Sequence, residues 1–264
     1  MEYLEELNEK QREAVLEKNG PILIMAGAGA GKTKTIAYRI LYLIKNGVDP
    51  RNILAITFTN KAAKEMRDRV EKIISKDKSL NSDEFFYNKP YISTFHSLGV
   101  HIIKENAQIV GLTRHFSIFD RSDSSKLIRD CMKNLDIDTK QFEPSKILNI
   151  ISKEKNNLNT AENYSAGEEE KKGYTLKAVA AKIWPLYEQK LKEEKALDFD
   201  DLLLKTYKIL KNHKEILEKY QNLWKYIHID EYQDTNKVQY EIAKLLVRKN
   251  RNICVVGDYR SKYL

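Results

Sequence analysis

The sequence predicts an α/β protein in which a mainly parallel sheet is flanked by helices and interrupted by a helical insert. Two stretches of the chain alternate short apolar strands with amphipathic helices, and residues 114–196 between them read as helices almost alone. Strands separated by helices of this length imply right-handed crossovers and parallel pairing. A third observation is a glycine-rich segment that follows the first strand and opens a helix. Together these features predict one α/β domain with an insertion.

The first stretch contains predicted strands that are each followed by a predicted helix. The strands cover residues 21–27, 52–59 and 90–94, and the helices cover 32–46, 60–75 and 96–111. In the second of these helices, Ala63, Met66, Val70 and Ile73 recur at helical spacing and predict one buried face.

The insert is predicted to contain helices at 122–136, 144–156 and 175–195, and the last of these should kink or begin at Pro185. Residues 164–173 have no periodicity and predict a loop. Alternation then resumes with a helix at 199–224, a strand at 226–230, a helix at 236–248 and a strand at 253–257. We therefore expect residues 1–113 and 197–264 to form one domain, incomplete at its carboxyl end, and residues 114–196 to form the insert.

Composition narrows the class of protein. The chain has 46 Lys and Arg residues against 38 Asp and Glu residues, a net charge of +8 that favours a polyanionic partner without identifying one. Cys131 and Cys254 lie too far apart in sequence to indicate a disulfide framework or a zinc cluster. The sequence shows neither a signal peptide nor an apolar run that could span a bilayer. We expect a cytoplasmic protein without a membrane partner.

The segment AGAGAGKT at residues 26–33 has the strand-to-helix context of a phosphate-binding loop. Small residues let the backbone curl around phosphate oxygens, and the helix N-terminus favours an anion. Lys32 should reach the β and γ phosphates, and the Thr33 hydroxyl should ligate Mg²⁺. The alternative is a glycine-rich turn with an incidental lysine. The residues predicted to hold the phosphates are Ala26, Gly27, Ala28, Gly29, Ala30, Gly31, Lys32, Thr33 and Thr35.

A second candidate segment, IHIDEYQD at residues 227–234, is an apolar strand that ends in two adjacent acids. The carboxyl end of a parallel strand faces the same crevice as the phosphate-binding loop. Asp230 is predicted to hold Mg²⁺ through its water shell, and Glu231 to orient and deprotonate an attacking water. The alternatives are a solvated strand end or an acidic cap of the next helix.

Six segments in this order resemble one family: LNEKQREAV, AGAGAGKT, AITFTNKAAKEM, YISTFHSL, LDFDDLL and HIDEYQDTN. They closely resemble the N-terminal half of the UvrD/PcrA/Rep-type superfamily 1 DNA helicases. The resemblance implies a RecA-like P-loop NTPase domain with an inserted all-α subdomain, and ATP and Mg²⁺ as cofactors. It also implies ATP hydrolysis that drives 3′ to 5′ movement along single-stranded DNA, in DNA repair or replication.

The resemblance assigns roles that spacing alone does not. It implies that Gln11 reads the adenine through its amide and that Gln233 senses the γ-phosphate as part of the catalytic set with Glu231 and Lys32. Arg39, on the helix after the phosphate-binding loop, either faces the nucleotide or makes a surface salt bridge.

The same resemblance implies single-stranded DNA contacts at the ends of two strands. The matching residues are Phe58, Thr59, Asn60, Thr94 and His96. An aromatic ring there can stack on a base, while hydroxyl, amide and helix N–H groups hold phosphates. The neighbouring Phe95 is equally consistent with a core aromatic.

The carboxyl end departs from the family pattern. After VVGD at residues 255–258 the chain reads YRSKYL and stops, where the family continues with a glutamine, an aromatic and an arginine. We therefore expect the second RecA-like domain to be missing, the chain to be a monomer or weak oligomer, and ATP hydrolysis by it to be slow or absent. One alternative is a non-catalytic, truncated module that binds nucleotide or DNA. The other is an unrelated small-molecule kinase, which would give the DEYQD and DNA-contact segments no role.

Overall fold

A computed structural model describes residues 2–27, 29–77, 88–169 and 175–258. The helices are Glu9–Leu16 (α1), Lys32–Lys45 (α2), Asn60–Lys76 (α3), Phe95–Glu105 (α4), Arg121–Asn134 (α5), Pro144–Asn156 (α6), Ala161–Glu169 (α7), Leu176–Glu193 (α8), Phe199–Asn212 (α9), Lys214–Leu223 (α10) and Lys237–Val247 (α11). The strands are Ile22–Met25 (β1), Ile53–Thr57 (β2), Tyr91–Thr94 (β3), Ser117–Phe119 (β4), Ala196–Asp198 (β5), Tyr226–Ile229 (β6) and Ile253–Gly257 (β7).

The described chain forms a parallel sheet in the order β1-β7-β6-β2-β3. Its inner strands are apolar and rich in β-branched residues, and every residue of β2 is buried. Such continuous burial is expected where helices cover both faces of a parallel sheet. The prediction of a parallel sheet flanked by helices is confirmed.

The chain divides into two compact units. Unit 1 comprises Met1–Leu98, His213–Thr235 and Ala243–Leu264, and unit 2 comprises Gly99–Asn212 and Asn236–Ile242. Unit 1 contains the five strands of the parallel sheet. Its core includes Ile40 of α2 and Met66 of α3, which pack with sheet residues. The domain boundaries inferred from the sequence, near residues 113 and 197, stay predictions.

Unit 2 is built mainly from helices around its own apolar core. The periodic residues of α8, among them Val179, Ile183 and Tyr187, pack there with Ile128 of α5 and Ile151 of α6. In addition, β4 and β5 pair in parallel over three residues each. Periodicity did not predict these strands, because three residues are too few to show an alternating pattern. No described helix combines the length and apolar character needed to cross a membrane.

Two predictions about helices were wrong. Residues 164–169 belong to α7 rather than to a loop, while residues 170–173 lie outside the described residues. The predicted helix at 199–224 is divided into α9 and α10, with His213 as the N-cap residue of α10. The apolar spacing continues across this break, so the pattern gave no indication of it.

Helix α8 continues through Pro185 rather than starting there. A proline inside a helix has no N–H to donate to the carbonyl four residues earlier, which is that of Ala181. The Ser165 hydroxyl of α7 donates to this Ala181 carbonyl at 2.8 Å. A side chain from the neighbouring helix thus satisfies the acceptor that the proline leaves without its helical partner.

A buried charge cluster lies at the centre of unit 2. The Lys155 ammonium lies 2.7 Å from carboxylate oxygens of Glu188 and Asp198 and 3.0 Å from one of Asp201. The Tyr187 hydroxyl donates to Asp198 at 2.9 Å, and the Lys155 side chain is 1% exposed. Burial alone would lower the pKa of Lys155, but the carboxylates raise it well above its ordinary value. The lysine therefore stays charged, and the cluster ties α6, α8 and α9 together.

Gly99 allows α4 to approach α9 closely. A Cβ atom at this position would lie 2.6 Å from the backbone carbonyl oxygen of Leu202. That oxygen also accepts a hydrogen bond from Thr206 at 2.6 Å. Since both the helix backbone and its hydroxyl partner occupy the space, only glycine fits without displacement.

Candidate nucleotide-binding site

The candidate site lies at the carboxyl edge of the parallel sheet in unit 1. The loop of residues 26–31 follows β1, Asp230 and Glu231 follow β6, and Asp258 follows β7. Because neighbouring strands are parallel, these three segments emerge at the same edge. The Ala26 amide donates to the Gly257 carbonyl at 3.0 Å, which extends the ladder between β1 and β7 to the start of the loop.

The loop has the backbone geometry that its small residues allow. Gly31 is left-handed, with φ of 79°, and α2 begins immediately after it. This left-handed conformation favours glycine, and a Cβ atom at Gly31 would also lie 2.8 Å from the Gln11 amide nitrogen, which would then have to move. The first N–H groups of α2 have no acceptor within the helix and are suited to an anion. Ala28, which belongs to the predicted phosphate-binding set, lies outside the described residues.

Lys32, Glu231 and Gln233 meet in front of this loop. The Lys32 ammonium lies 2.9 Å from a Glu231 carboxylate oxygen, and the Gln233 amide donates to the same oxygen at 2.7 Å. Gln233 also accepts a hydrogen bond from the Asp258 backbone amide at 3.0 Å. Glu231 adopts a left-handed backbone, with φ of 50°, which is uncommon for a residue with a Cβ and is often found at functional sites.

Thr33 and Asp230 form a second polar pair. The Thr33 hydroxyl donates to Asp230 at 2.9 Å, and Asp230 is 3% exposed. Burial raises the pKa of the Asp230 carboxyl, and the Thr33 hydrogen bond opposes this effect. A hydroxyl beside a carboxylate fits Mg²⁺, a hard cation that completes its shell with phosphate oxygens and waters. Among the described residues, no group of three or more His, Cys, Asp and Glu side chains is placed to hold a metal ion.

A pocket of about 440 Å³ surrounds these side chains, within the range of roughly 300–1,000 Å³ typical of small-molecule sites. Its lining is almost entirely polar or charged and consists of Gly29, Gly31, Lys32, Thr33, Lys34, Arg69, Glu231, Gln233 and Asp258. The sequence analysis did not identify Lys34, Arg69 and Asp258 as site residues. Arg69 lies in α3 with no motif spacing to the loop, and only the topology brings it to the pocket.

Gln11 lies against the phosphate-binding loop. Its amide nitrogen donates to the Ala30 carbonyl at 2.9 Å, and its amide oxygen accepts from the Asn8 backbone amide at 3.1 Å. The Asn8 side chain in turn accepts from the Gln11 backbone amide, which forms a capping box at the start of α1. The amide of Gln11 is therefore held beside Ala30 and Gly31, and Gly31 lines the pocket.

Two predicted nucleotide contacts have other roles in the structure. The Thr35 hydroxyl donates to the Gly31 carbonyl at 3.1 Å, one turn earlier in the chain, and the side chain is buried. Arg39 neither lines the pocket nor makes a surface salt bridge, because it is 2% exposed and donates to backbone carbonyls at the end of α1. Arg39 lies two helical turns after Lys32, about 10 Å further along α2, where its side chain contacts the end of α1 rather than the loop.

The predicted DNA contacts lie at the carboxyl ends of β2 and β3, which are neighbours in the sheet. Phe58 is half-buried, and its ring meets the buried Phe95 ring edge-on at 6.2 Å. Thr59 and Asn60 are exposed, and Thr59 caps α3 by accepting from the Ala62 amide. Thr94 is buried and bonds to Ser97, while His96 is half-buried. Phe58, Thr59, Asn60 and His96 are thus brought to one edge with solvent access.

Comparison with known proteins gives consistent matches over nearly the whole chain. The model of the UvrD/REP helicase N-terminal domain family matches residues 7–260. The chain is 44% identical over 256 residues to "ATP-dependent DNA helicase PcrA" of Staphylococcus aureus, with 97% of this chain and 33% of that protein aligned. It is 45% identical over 253 residues to the protein of the same name from Staphylococcus epidermidis, with 96% and 33% aligned. The chain therefore spans about one third of the length of these relatives.

Proposed function

The chain belongs to the UvrD/REP helicase N-terminal domain family, and on this premise we propose that it binds Mg·ATP and supplies the hydrolytic site of a DNA helicase. The observation that carries this proposal is the convergence of Lys32, Thr33, Glu231 and Gln233 at one pocket beside the phosphate-binding loop, with the buried Asp230 bonded to Thr33. The proposed substrate is ATP, and the proposed polymer partner is single-stranded DNA.

The phosphates of ATP would lie against the loop and the N-terminus of α2. Lys32 now lies against Glu231, and an incoming phosphate group would compete for its ammonium. Once Lys32 turns to the phosphates, the Glu231 carboxylate is released to accept a proton from water. Phosphoryl transfer is accelerated mainly by placed positive charge, which Lys32 and Arg69 would provide. When bound, Mg²⁺ would neutralise phosphate charge and would be held by Thr33 and, through water, by Asp230.

The hydrogen bonds of Gln233 would change when a γ-phosphate is bound. Its amide connects the Glu231 carboxylate to the Asp258 backbone at the end of β7. A γ-phosphate or its attacking water would replace one of these partners. Gln233 is therefore proposed to orient the water with Glu231.

Binding can be tested by unfolding the chain with and without Mg·ATP. At a hundredfold excess over the dissociation constant, nucleotide should stabilise the folded state by about 2.7 kcal/mol. Lys32→Ala should remove this stabilisation, whereas Lys10→Ala, which alters a lysine with an 89% exposed side chain, should retain it. Absence of any shift in the wild type at millimolar Mg·ATP would contradict the proposal.

Measuring ATP hydrolysis distinguishes an enzyme from the second candidate function, a module that binds nucleotide or DNA without hydrolysing ATP. That candidate is favoured by the double engagement of the Glu231 carboxylate with Lys32 and Gln233. For an enzyme, Glu231→Gln should retain ATP binding and lose phosphate release, measured with and without single-stranded DNA. Equal, background-level release by wild type and variant would support the binding module.

DNA binding is proposed at the exposed ends of β2 and β3, with Phe58 as the stacking ring. Phe58→Leu retains apolar contact with Phe95 but removes the ring face, and it should weaken single-stranded DNA binding by about 1–3 kcal/mol. Binding should be independent of sequence and should weaken with salt. An unchanged affinity in Phe58→Leu would assign Phe58 to packing alone.

A further inference from the structure

Arg39 is a buried arginine that the proposed chemistry does not use. It lies on α2, seven residues after Lys32, and is 2% exposed. Its guanidinium donates to the carbonyls of Ala14 at 3.1 Å and Lys18 at 3.2 Å, and to that of Glu17. These carbonyls belong to the last turn of α1 and the residues that follow it, which have no helical N–H partners of their own. Arg39 therefore caps the carboxyl end of α1, where a positive charge is also favoured by the helix dipole.

The amino end of the same helix carries Gln11. Its amide is fixed between Asn8 and the Ala30 carbonyl of the phosphate-binding loop. Helix α1 has only eight residues, and Val15 is its buried residue. A helix this short is marginal by itself, so its position depends on tertiary contacts. Arg39 supplies several of these contacts from the helix that begins at the phosphate-binding loop.

From this arrangement we propose that Arg39 is a positioning residue for base recognition, which holds α1 so that the Gln11 amide faces the purine at the pocket rim. The inference rests on the proposed ATP site. The proposal predicts that Arg39 affects which base is preferred. It predicts no effect on phosphate affinity, because the loop and Lys32 are held by contacts of their own.

The planar guanidinium explains why lysine is a poor replacement. Several donors in a fixed fork reach separate carbonyls at once, whereas one ammonium is a compact group on a flexible stem. Arg39→Lys retains the buried positive charge but should lose part of this multiple contact. It is therefore the informative substitution, since it should change the position of α1 without leaving a cavity and without removing the positive charge beside the α1 carbonyls.

The test compares binding of Mg·ATP, Mg·GTP and Mg-tripolyphosphate by calorimetry. We expect the wild type to prefer ATP over GTP by about tenfold or more, the discrimination typical of a bidentate amide pair. Gln11→Ala should remove this preference. Arg39→Lys should reduce the preference for ATP over GTP severalfold while leaving tripolyphosphate affinity unchanged. In a protein that already carries Gln11→Ala, Arg39→Lys should not change this preference further. Arg67→Lys is the matched control, because Arg67 also donates to a backbone carbonyl, that of Ile92, but belongs to α3.

Three outcomes separate the possibilities. A folded Arg39→Lys variant with the wild-type preference for ATP would overturn the positioning role, as would an equal loss of tripolyphosphate affinity. Failure of the wild type to bind any of the three ligands would instead overturn the proposed ATP site. If Arg39→Lys does not fold, hydrogen exchange on the wild type decides the question. ATP, and not tripolyphosphate, should slow exchange along Glu9–Leu16, and an ATP complex without this protection would overturn the proposal.

Discussion

Lys32 and Lys155 both lie among carboxylates, but the main partner of Lys32 is exposed to solvent, whereas Asp198 and Asp201, two partners of Lys155, are buried. Each ammonium lies within 4 Å of carboxylate oxygens, from Glu231 and Asp258 in unit 1 and from Glu188, Asp198 and Asp201 in unit 2. Lys32 lines a pocket, and although its own side chain is 9% exposed, its main partner Glu231 is 41% exposed. Lys155 is 1% exposed, and its partners Asp198 and Asp201 are 5% and 2% exposed.

The difference shows how burial, rather than charge pairing, separates a binding site from a structural cluster. A pair with one exposed member, such as Glu231 beside Lys32, is exchangeable, because water can hydrate the exposed carboxylate when a phosphate takes its place at the lysine. A buried pair is not, because removing one partner leaves the other charged and unsolvated. Lys32 is thus suited to receive an anion, and Lys155 is suited to fix helices.

The largest expected effect comes from removing the buried lysine. Lys155→Met should lower the free energy of unfolding by about 3–5 kcal/mol, because it leaves Asp198 and Asp201 buried without their cation. Lys153→Met, on the exposed side of the same helix, is the control and should change stability little. Denaturant titration measures both, and a similar small effect in the two variants would contradict the comparison.

A smaller effect should follow from filling the space at Gly99, against the helix that carries Asp201. Gly99→Ala places a Cβ atom 2.6 Å from the Leu202 carbonyl oxygen and should cost roughly 1–3 kcal/mol through overpacking. Gly167→Ala is the matched helical control, because nothing lies within 4 Å of its added Cβ atom. Equal stabilities of the two variants would show that α9 can move away, and that the charge cluster is less rigid than its burial indicates.

Mild acid should lower the stability of unit 1 through His228, a buried residue that is not part of the Lys155 cluster. Burial, followed by the charge of Arg39, lowers the pKa of His228 from 6.5 to about 3. The unfolded chain therefore binds a proton at this site that the folded chain excludes, so stability falls as pH drops from 6.5 toward about 3. At pH 5.5 the loss should be about 1.4 kcal/mol.

The His228→Val variant provides the measurement for this pH effect. Valine suits a central strand and cannot be protonated, so the variant should lose less stability than the wild type between pH 7 and pH 5.5. Parallel pH profiles for the two proteins would exclude His228 as the source of the acid response.

The smallest effect is expected at Lys32, whose main partner Glu231 is exposed. Lys32→Met should change the free energy of unfolding by less than about 1 kcal/mol without nucleotide, because the exposed Glu231 carboxylate can be hydrated instead. The same denaturant titration used for Lys155→Met measures it. A loss as large as that of Lys155→Met would mean that Lys32 is a structural residue first.

The parts of this fold that sequence could predict are those with local signals. The strands around the phosphate-binding loop and the acids after β6 combine apolar runs with distinctive residues at their ends, and their positions agree with prediction. The strands β4 and β5 and the break at His213 had no such signal. Lys155 looked like any other lysine in the sequence, since its carboxylate partners are 33 to 46 residues away in the chain.

The candidate site follows the same rule. Lys32, Thr33, Asp230 and Glu231 were identified from motifs, and the structure brings them together; their roles stay predictions. Arg69 was missed because helix packing, rather than sequence spacing, brings it to the pocket. Neither role considered for Arg39, a nucleotide contact or a surface salt bridge, matches its buried contacts with the end of α1, because two helical turns place it about 10 Å along α2 from Lys32.

The hydroxyl of Ser165 and the proline of α8 carry a consequence for how this sequence can change over time. Replacing Ser165 alone would leave the Ala181 carbonyl without a hydrogen-bond donor, since Pro185 has no N–H group to donate to it. Replacing Pro185 by alanine first would restore a helical donor, after which Ser165 could vary freely. The two positions are therefore linked by the order of substitution. Of the two mutational paths that lead from the present serine and proline to alanine at both positions, the one that changes the serine first passes through a less stable protein.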